Sequence, residues 1–170
     1  MATASHKQHK ERTKQQVACG VITVSDTRTE ENDTSGRLIR EMLHAAGHGA
    51  PAYHIIKDDP NLIGPLLERL LKESGIEAVI INGGTGVAQR DMTYDVVERT
   101  LDKELPGFGE LFRMFSYEEI GSAAMLSRAV AGTCGNKAVF SVPGSSGAVR
   151  LAMEKLILPE LPHIVYELNK

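Results

Sequence analysis

Short β-branched runs alternate along this chain with stretches in which apolar residues return every three or four positions. The first run, "VACGVITV" at 17–24, predicts a strand. Beyond a polar loop, Leu38, Ile39, Met42, Leu43 and Ala46 fall on one helical face, and Gly47 stands where that helix would stop. A second strand is predicted over 52–56. In "DDPNLIGPLLERLLKESG", Leu62, Leu66, Leu67, Leu70 and Leu71 predict another amphipathic helix. Pro60 and Pro65 each suit a first helical position, so it starts either at Pro60 or, after a short turn, at Pro65. A third strand covers 78–82, and Thr93 caps a helix running through Val97 and Leu101. A helix over 108–119, an apolar strand over 139–142 and one or two closing helices over 146–168 complete the pattern. Strands alternating with helices in this way predict an α/β domain with a largely parallel sheet.

Composition narrows the class. At 170 residues, 42% apolar and 24% charged, the chain is long enough for one soluble domain with a real core. We read 17–170 as that domain. No apolar run approaches the ~20 residues of a membrane span, and the polar opening "MATASHKQHKERTKQQ" lacks the apolar segment of a secretory signal. Two cysteines, Cys19 and Cys134, form no disulfide or zinc framework and fit a reduced, cytoplasmic setting. The net charge of −3 is uneven: residues 1–16 carry +3, leaving −6 for the body. The body offers no basic stripe with interleaved aromatics, so we read the basic arm as a disordered, solvated tail and expect neither nucleic acid nor membrane as a partner.

Candidate chemistry gathers at two glycine turns. "INGGTGVAQRD" takes the third strand into Gly83, Gly84, Thr85 and Gly86; "VPGSSGAVRLAME" takes the last into Pro143, Gly144, Ser145 and Ser146. Ligands of parallel α/β sheets sit at the carboxyl ends of the strands. Glycine backbone there suits a phosphate, and it equally suits a tight turn. The first turn lacks the Gly-Lys-[Ser/Thr] ending of a Walker loop and the third glycine of a dinucleotide fingerprint. Ser145 and Ser146 could bind an anion or simply cap a helix. Among the nearby acids, Asp59 before Pro60 has a capping role and Asp95 complements a helix dipole. Asp58 and Asp91 have no such role. Two carboxylates at strand ends beside phosphate cradles are what a Mg²⁺ site needs. Gly47 separates His44 from His48, which removes the one metal-like histidine spacing. Cys134 reads as a loop thiol.

Taken together, "TVSDTRTEENDTSG", "GGTGVAQRDMT", "ELPGFGELFRMFSYEEIG", "LSRAVAG" and "VPGSSGAV", in this order, resemble the molybdenum cofactor biosynthesis protein B family, sibling of molybdopterin adenylyltransferase. The resemblance covers about residues 17–168. It implies a three-layer α/β sandwich with a mostly parallel central sheet, assembled as a trimer or a dimer of trimers, with other cofactor-biosynthesis proteins as further partners. It implies that molybdopterin is adenylylated with Mg²⁺-ATP, releasing pyrophosphate, with Asp58 and Asp91 as the catalytic and metal-binding acids. The substrate and nucleotide pocket would be lined by Ser25, Asp26, Gly83, Gly84, Thr85, Gly86 and Arg90 on one side, and by Pro143, Gly144, Ser145 and Ser146 on the other. Arg90 could hold a phosphate or only orient Asp91, and Glu110 is a lesser pocket candidate. Tyr94 stands where family members often have proline. The alternative is a non-catalytic module that carries molybdopterin or a precursor.

Overall fold

The computed structural model describes residues 16–170, so all but the last residue of the basic arm lies outside the described residues. Six strands form one sheet in the order β2-β1-β3-β6-β5-β4. They are β1 (Ala18–Val24), β2 (Gly49–Ile56), β3 (Ala78–Asn82), β4 (Lys103–Glu104), β5 (Val130–Cys134) and β6 (Lys137–Val142). Strands β2, β1, β3 and β6 run parallel, and β5 and β4 add an antiparallel edge. The helices are α1 (Thr34–Ala45), α2 (Pro60–Lys72), α3 (Thr93–Thr100), α4 (Pro106–Ile120), α5 (Ser146–Ala152) and α6 (Leu158–Leu168), with one π-helical turn, Met153–Ile157, joining the last two. The predicted three-layer sandwich is the observed one.

The period-two geometry of the strands sorts the core into two halves. Cys19, Val21, Ile80 and Phe140 face one side, where Ile39 and Leu43 of α1, Phe108 and Phe112 of α4, and Val149 of α5 cover them. Ile22, Val79, Ile81 and Val139 face the other, under Ile63, Leu67 and Leu70 of α2 and Val97 of α3. Strands buried on both faces read as continuous apolar runs, which is why β1, β3 and β6 are so plain in the sequence. Cys19 lies fully inside, where burial pushes its thiol up to about 12 and Glu77 adds to the shift. No helix among the described residues is long and apolar enough to cross a membrane.

One local alternative is decided and one expectation needs correction. Helix α2 is a single helix from Pro60, capped by Asp59, with Pro65 inside it. The proline removes only a bond to the carbonyl of Asn61 in the first turn, and the buried stripe Ile63, Leu67 and Leu70 outweighs that loss. Leu62 is left exposed. Thr93 does not cap α3; Met92 occupies the cap and Thr93 is the first helical residue. Its N–H is already committed to the carbonyl of Gly84 (3.0 Å), which ties the helix directly to the glycine turn.

Candidate functional site at the carboxyl edge of the sheet

The parallel strands β1, β3 and β6 all end at one edge, and the two glycine turns leave it side by side. Gly83 N–H donates to Val142 O (3.0 Å), and a Cβ on Gly144 would stand 3.0 Å from the Cα of Gly83. The glycines have a sharper reason than openness toward a ligand. Gly83 and Gly84 sit at φ +100° and +63°, a region L side chains rarely adopt. A Cβ on Gly83 would strike the carbonyl of Val24, and one on Gly84 would stand 2.6 Å from Asp58 Oδ2 and overlap the Thr93 hydroxyl. At Gly86 the space is taken by the Asp91 carboxylate. The turn is bare because the protein's own acids lie against it.

Asp58 and Asp91 therefore do come together. Met92 N–H donates to Asp58 Oδ1 (3.3 Å), and Ala88 N–H to Asp91 Oδ2 (2.9 Å). Asp26, at the end of β1, accepts from Asp58 N–H (3.3 Å) and joins the same acidic group. Burial pushes the Asp58 carboxyl above its ordinary range. The Met92 hydrogen bond opposes that shift, Asp91 and Asp26 add to it, and Arg90 draws it back. Arg90 itself is exposed, and its charge acts on Asp58. The donor set is all oxygen, carried on separate loops. It fits a small hard cation that fills its shell with water and phosphate. Among the described residues no group of three or more His, Cys, Asp or Glu side chains forms a metal cage of its own.

Other predicted residues take structural duties at the same edge. Ser25 Oγ accepts from Thr27 and Arg28 N–H (both 3.3 Å), closing the turn after β1. Ser145 caps α5 through Ala148 N–H (3.2 Å), and Ser146 Oγ lies 3.4 Å from Thr34 Oγ1 at the start of α1. Thr85 is buried, with its carbonyl turned to Arg128 (3.3 Å). Pro143 and Ser145 share a cavity of about 150 Å³ with Phe112, Ser116 and Ser127. Glu110 stands apart from both turns, on an apolar groove of about 470 Å³ along α4 with Met114, Tyr117 and Met125.

Sequence reasoning missed two contributors. Arg128, just before β5, spends its guanidinium on the glycine turn: Nη2 donates to Gly86 O (2.8 Å) and Asp91 O (2.9 Å), and Nε to Gly86 O (3.1 Å). Its Nη1 pairs with Asp95 (3.2 Å), so that acid answers a cation as well as a helix dipole. The signal was present in "LSRAVAG", as an arginine placed at the mouth of an apolar run. The second is Asp33, fully buried beneath the site. It accepts from Gly36 N–H (3.0 Å), Ser35 Oγ (3.1 Å) and Tyr53 OH (2.5 Å). Ser35 continues to Asn82 (2.8 Å) and Asn82 to Thr23 (2.9 Å), so one polar network joins α1, β2, β3 and β1.

The family model described as a probable molybdopterin binding domain matches residues 20–163. The molybdenum cofactor biosynthesis protein B of Bacillus cereus is 55% identical over 164 residues, 96% of this chain and 97% of that protein. A crystal structure of a molybdenum cofactor biosynthesis protein B superposes with a TM-score of 0.89 at 57% identity, covering 91% of this chain and 96% of that one. The tungsten cofactor synthesizing protein MoaB from Pyrococcus furiosus gives 0.84 at 39% identity, covering 92% and 99%. Similarity of this extent, over the fold and both glycine turns alike, shows that the chain belongs to the molybdenum cofactor biosynthesis protein B family.

Proposed function

We propose that this protein acts in molybdenum cofactor biosynthesis by adenylylating molybdopterin with Mg²⁺-ATP. One observation carries the reading: Asp58 and Asp91, from separate loops, converge against a glycine turn that lies beside a second one. In the step proposed, an oxygen of the terminal phosphate of molybdopterin attacks the α-phosphorus of ATP. The new P–O bond forms as the bond to the bridging oxygen of the β-phosphate breaks, and pyrophosphate leaves with the electron pair. Such transfers depend on positioning and charge neutralisation more than on covalent help. Bound Mg²⁺ would supply part of that neutralisation. Asp58 and Asp91 would hold it, with Asp26 close by. Backbone N–H groups of Gly84–Gly86 and of Gly144–Ser146 would receive the anionic ends, and Ser25 and Arg90 would flank them.

Incubating the protein with molybdopterin, ATP and Mg²⁺ should yield adenylylated molybdopterin and one pyrophosphate per product. Molybdopterin retained without any product would leave the non-catalytic carrier in place of the enzyme.

The same reading extends to assembly as a trimer or a dimer of trimers. It is supported by Leu111, Met114, Tyr117 and Ile120 of α4, with Met125 and Leu126 after it, all exposed, Met125 at 77%. A contiguous apolar face of this kind marks an interaction site. Light scattering should give three or six times the chain mass, and Met114→Glu should lower it; a single-chain mass for the unaltered protein would refute the assembly.

A further inference from the structure

We propose that Arg128 is a positioning residue that presets the glycine turn for phosphate and sets both acids at once. The proposal rests on the reading of the site above. A planar trans peptide directs its N–H opposite to its C=O. Arg128 takes the carbonyls of Thr85, Gly86 and Asp91, so it turns the N–H groups of Gly86, Val87 and Met92 away from itself. The Met92 N–H is found on that far side, on Asp58 Oδ1 (3.3 Å). The Gly86 and Val87 N–H groups are aimed outward by the same logic, as two adjacent donors on the turn. Through Asp91 O the arginine also holds the backbone that carries the second acid.

The clamp is itself held. Asp95 pairs with Nη1, and the Tyr94 ring lies 4.9 Å beneath the guanidinium carbon, both from the first turn of α3. Arg128 and Asp95 are only 28% and 33% exposed, which limits competition from water. Only a planar fork with several fixed donors can reach three carbonyls and a carboxylate together; an ammonium cannot. Tyr94 thus gains a part as the surface on which the fork rests.

Hydrogen exchange resolved over residues 84–93 tests the clamp without any ligand, and Mg²⁺-ATP titration with steady-state kinetics tests its use. In Arg128→Gln the hydrogen-bonded Ala88, Met92 and Thr93 amides should exchange at least about tenfold faster, and kcat/KM should fall by about 10- to 100-fold. The loss should fall mainly on the KM for ATP. Arg128→Lys should recover part of the affinity and little of the protection. Asp95→Asn, which weakens the hold on Nη1 but leaves the carbonyl bonds in place, should shift both in the same direction as Arg128→Gln and by less. Wild-type exchange in Arg128→Gln, or in Arg128→Lys if the former does not fold, would overturn the clamp. Faster exchange with unaltered Mg²⁺-ATP affinity would overturn its role in the site. If the wild type itself failed to bind Mg²⁺-ATP, the functional reading would fall while the exchange measurement still judged the clamp.

Discussion

Replacing Asp58 by asparagine is expected to leave the fold intact and to lower adenylyl transfer by about 100- to 1000-fold. Asparagine keeps the volume of the side chain and can still accept the Met92 N–H, so the packing against Gly84 survives. What it loses is the charge. Asp58 is held by one backbone hydrogen bond while burial and two neighbouring acids work against its ionised form. A carboxylate kept under those conditions has little to offer stability, and its removal should cost function alone. The variant should need more Mg²⁺ for half-maximal rate, and Asp91→Asn should behave alike. If the two acids serve one cation, the double variant should be little worse than the worse single one, because groups acting as a unit are not additive. Activity within threefold of wild type in Asp58→Asn would remove this acid from the proposed chemistry.

What could be read from the sequence, and what could not, divides along one physical line. Val79, Ile80 and Ile81, or Leu67 and Leu70, advertise themselves because burial is a local, periodic property of the chain. The same holds for Asp59, whose cap is satisfied two residues away. Strands β4 and β5 were not foreseen: β4 has two residues, and β5 is built from "VAGTC", whose small side chains carry little periodic signal. Both exist through pairing with distant residues. The site follows the same rule. Asp58 and Asp91 could be singled out because no local role explained them, but the reason for Gly83 and Gly84 lay 59 and 26 positions away, in Val24 and Asp58. Arg128 was invisible for the same reason, since every acceptor it reaches lies at least 33 positions earlier in the chain.

Asp33, which no sequence pattern singled out, serves the architecture beneath the site, and Asp33→Ala is expected to destabilise the protein by about 3–5 kcal/mol. The cap of α1 alone accounts for about 1 kcal/mol. The rest comes mainly from Tyr53 OH, which loses its acceptor in a site with no exposure at Asp33, while Ser35 Oγ keeps Asn82. For a domain of this size the melting temperature should fall by about 10 °C at fixed protein concentration. Asp33→Asn should lose less, because the amide oxygen can still cap Gly36 N–H. The two variants also separate the charge from the shape. Burial acts to raise the Asp33 pKa, yet hydrogen bonds from Thr23, Tyr53, Gly36 and Ser35 together outweigh it and hold the carboxyl below its ordinary 3.8. A pKa depressed on folding stabilises the native state in full above pH 3.8 and loses that contribution as pH falls through the lower native value. Wild-type stability should therefore drop steeply below about pH 4, while Asp33→Asn, with no proton to take up there, follows a shallower acid limb. Equal acid limbs in the two proteins would mean that the Asp33 charge adds nothing to the network, and a melting temperature unchanged in Asp33→Ala would mean that the network does not hold the edge on which the site is built.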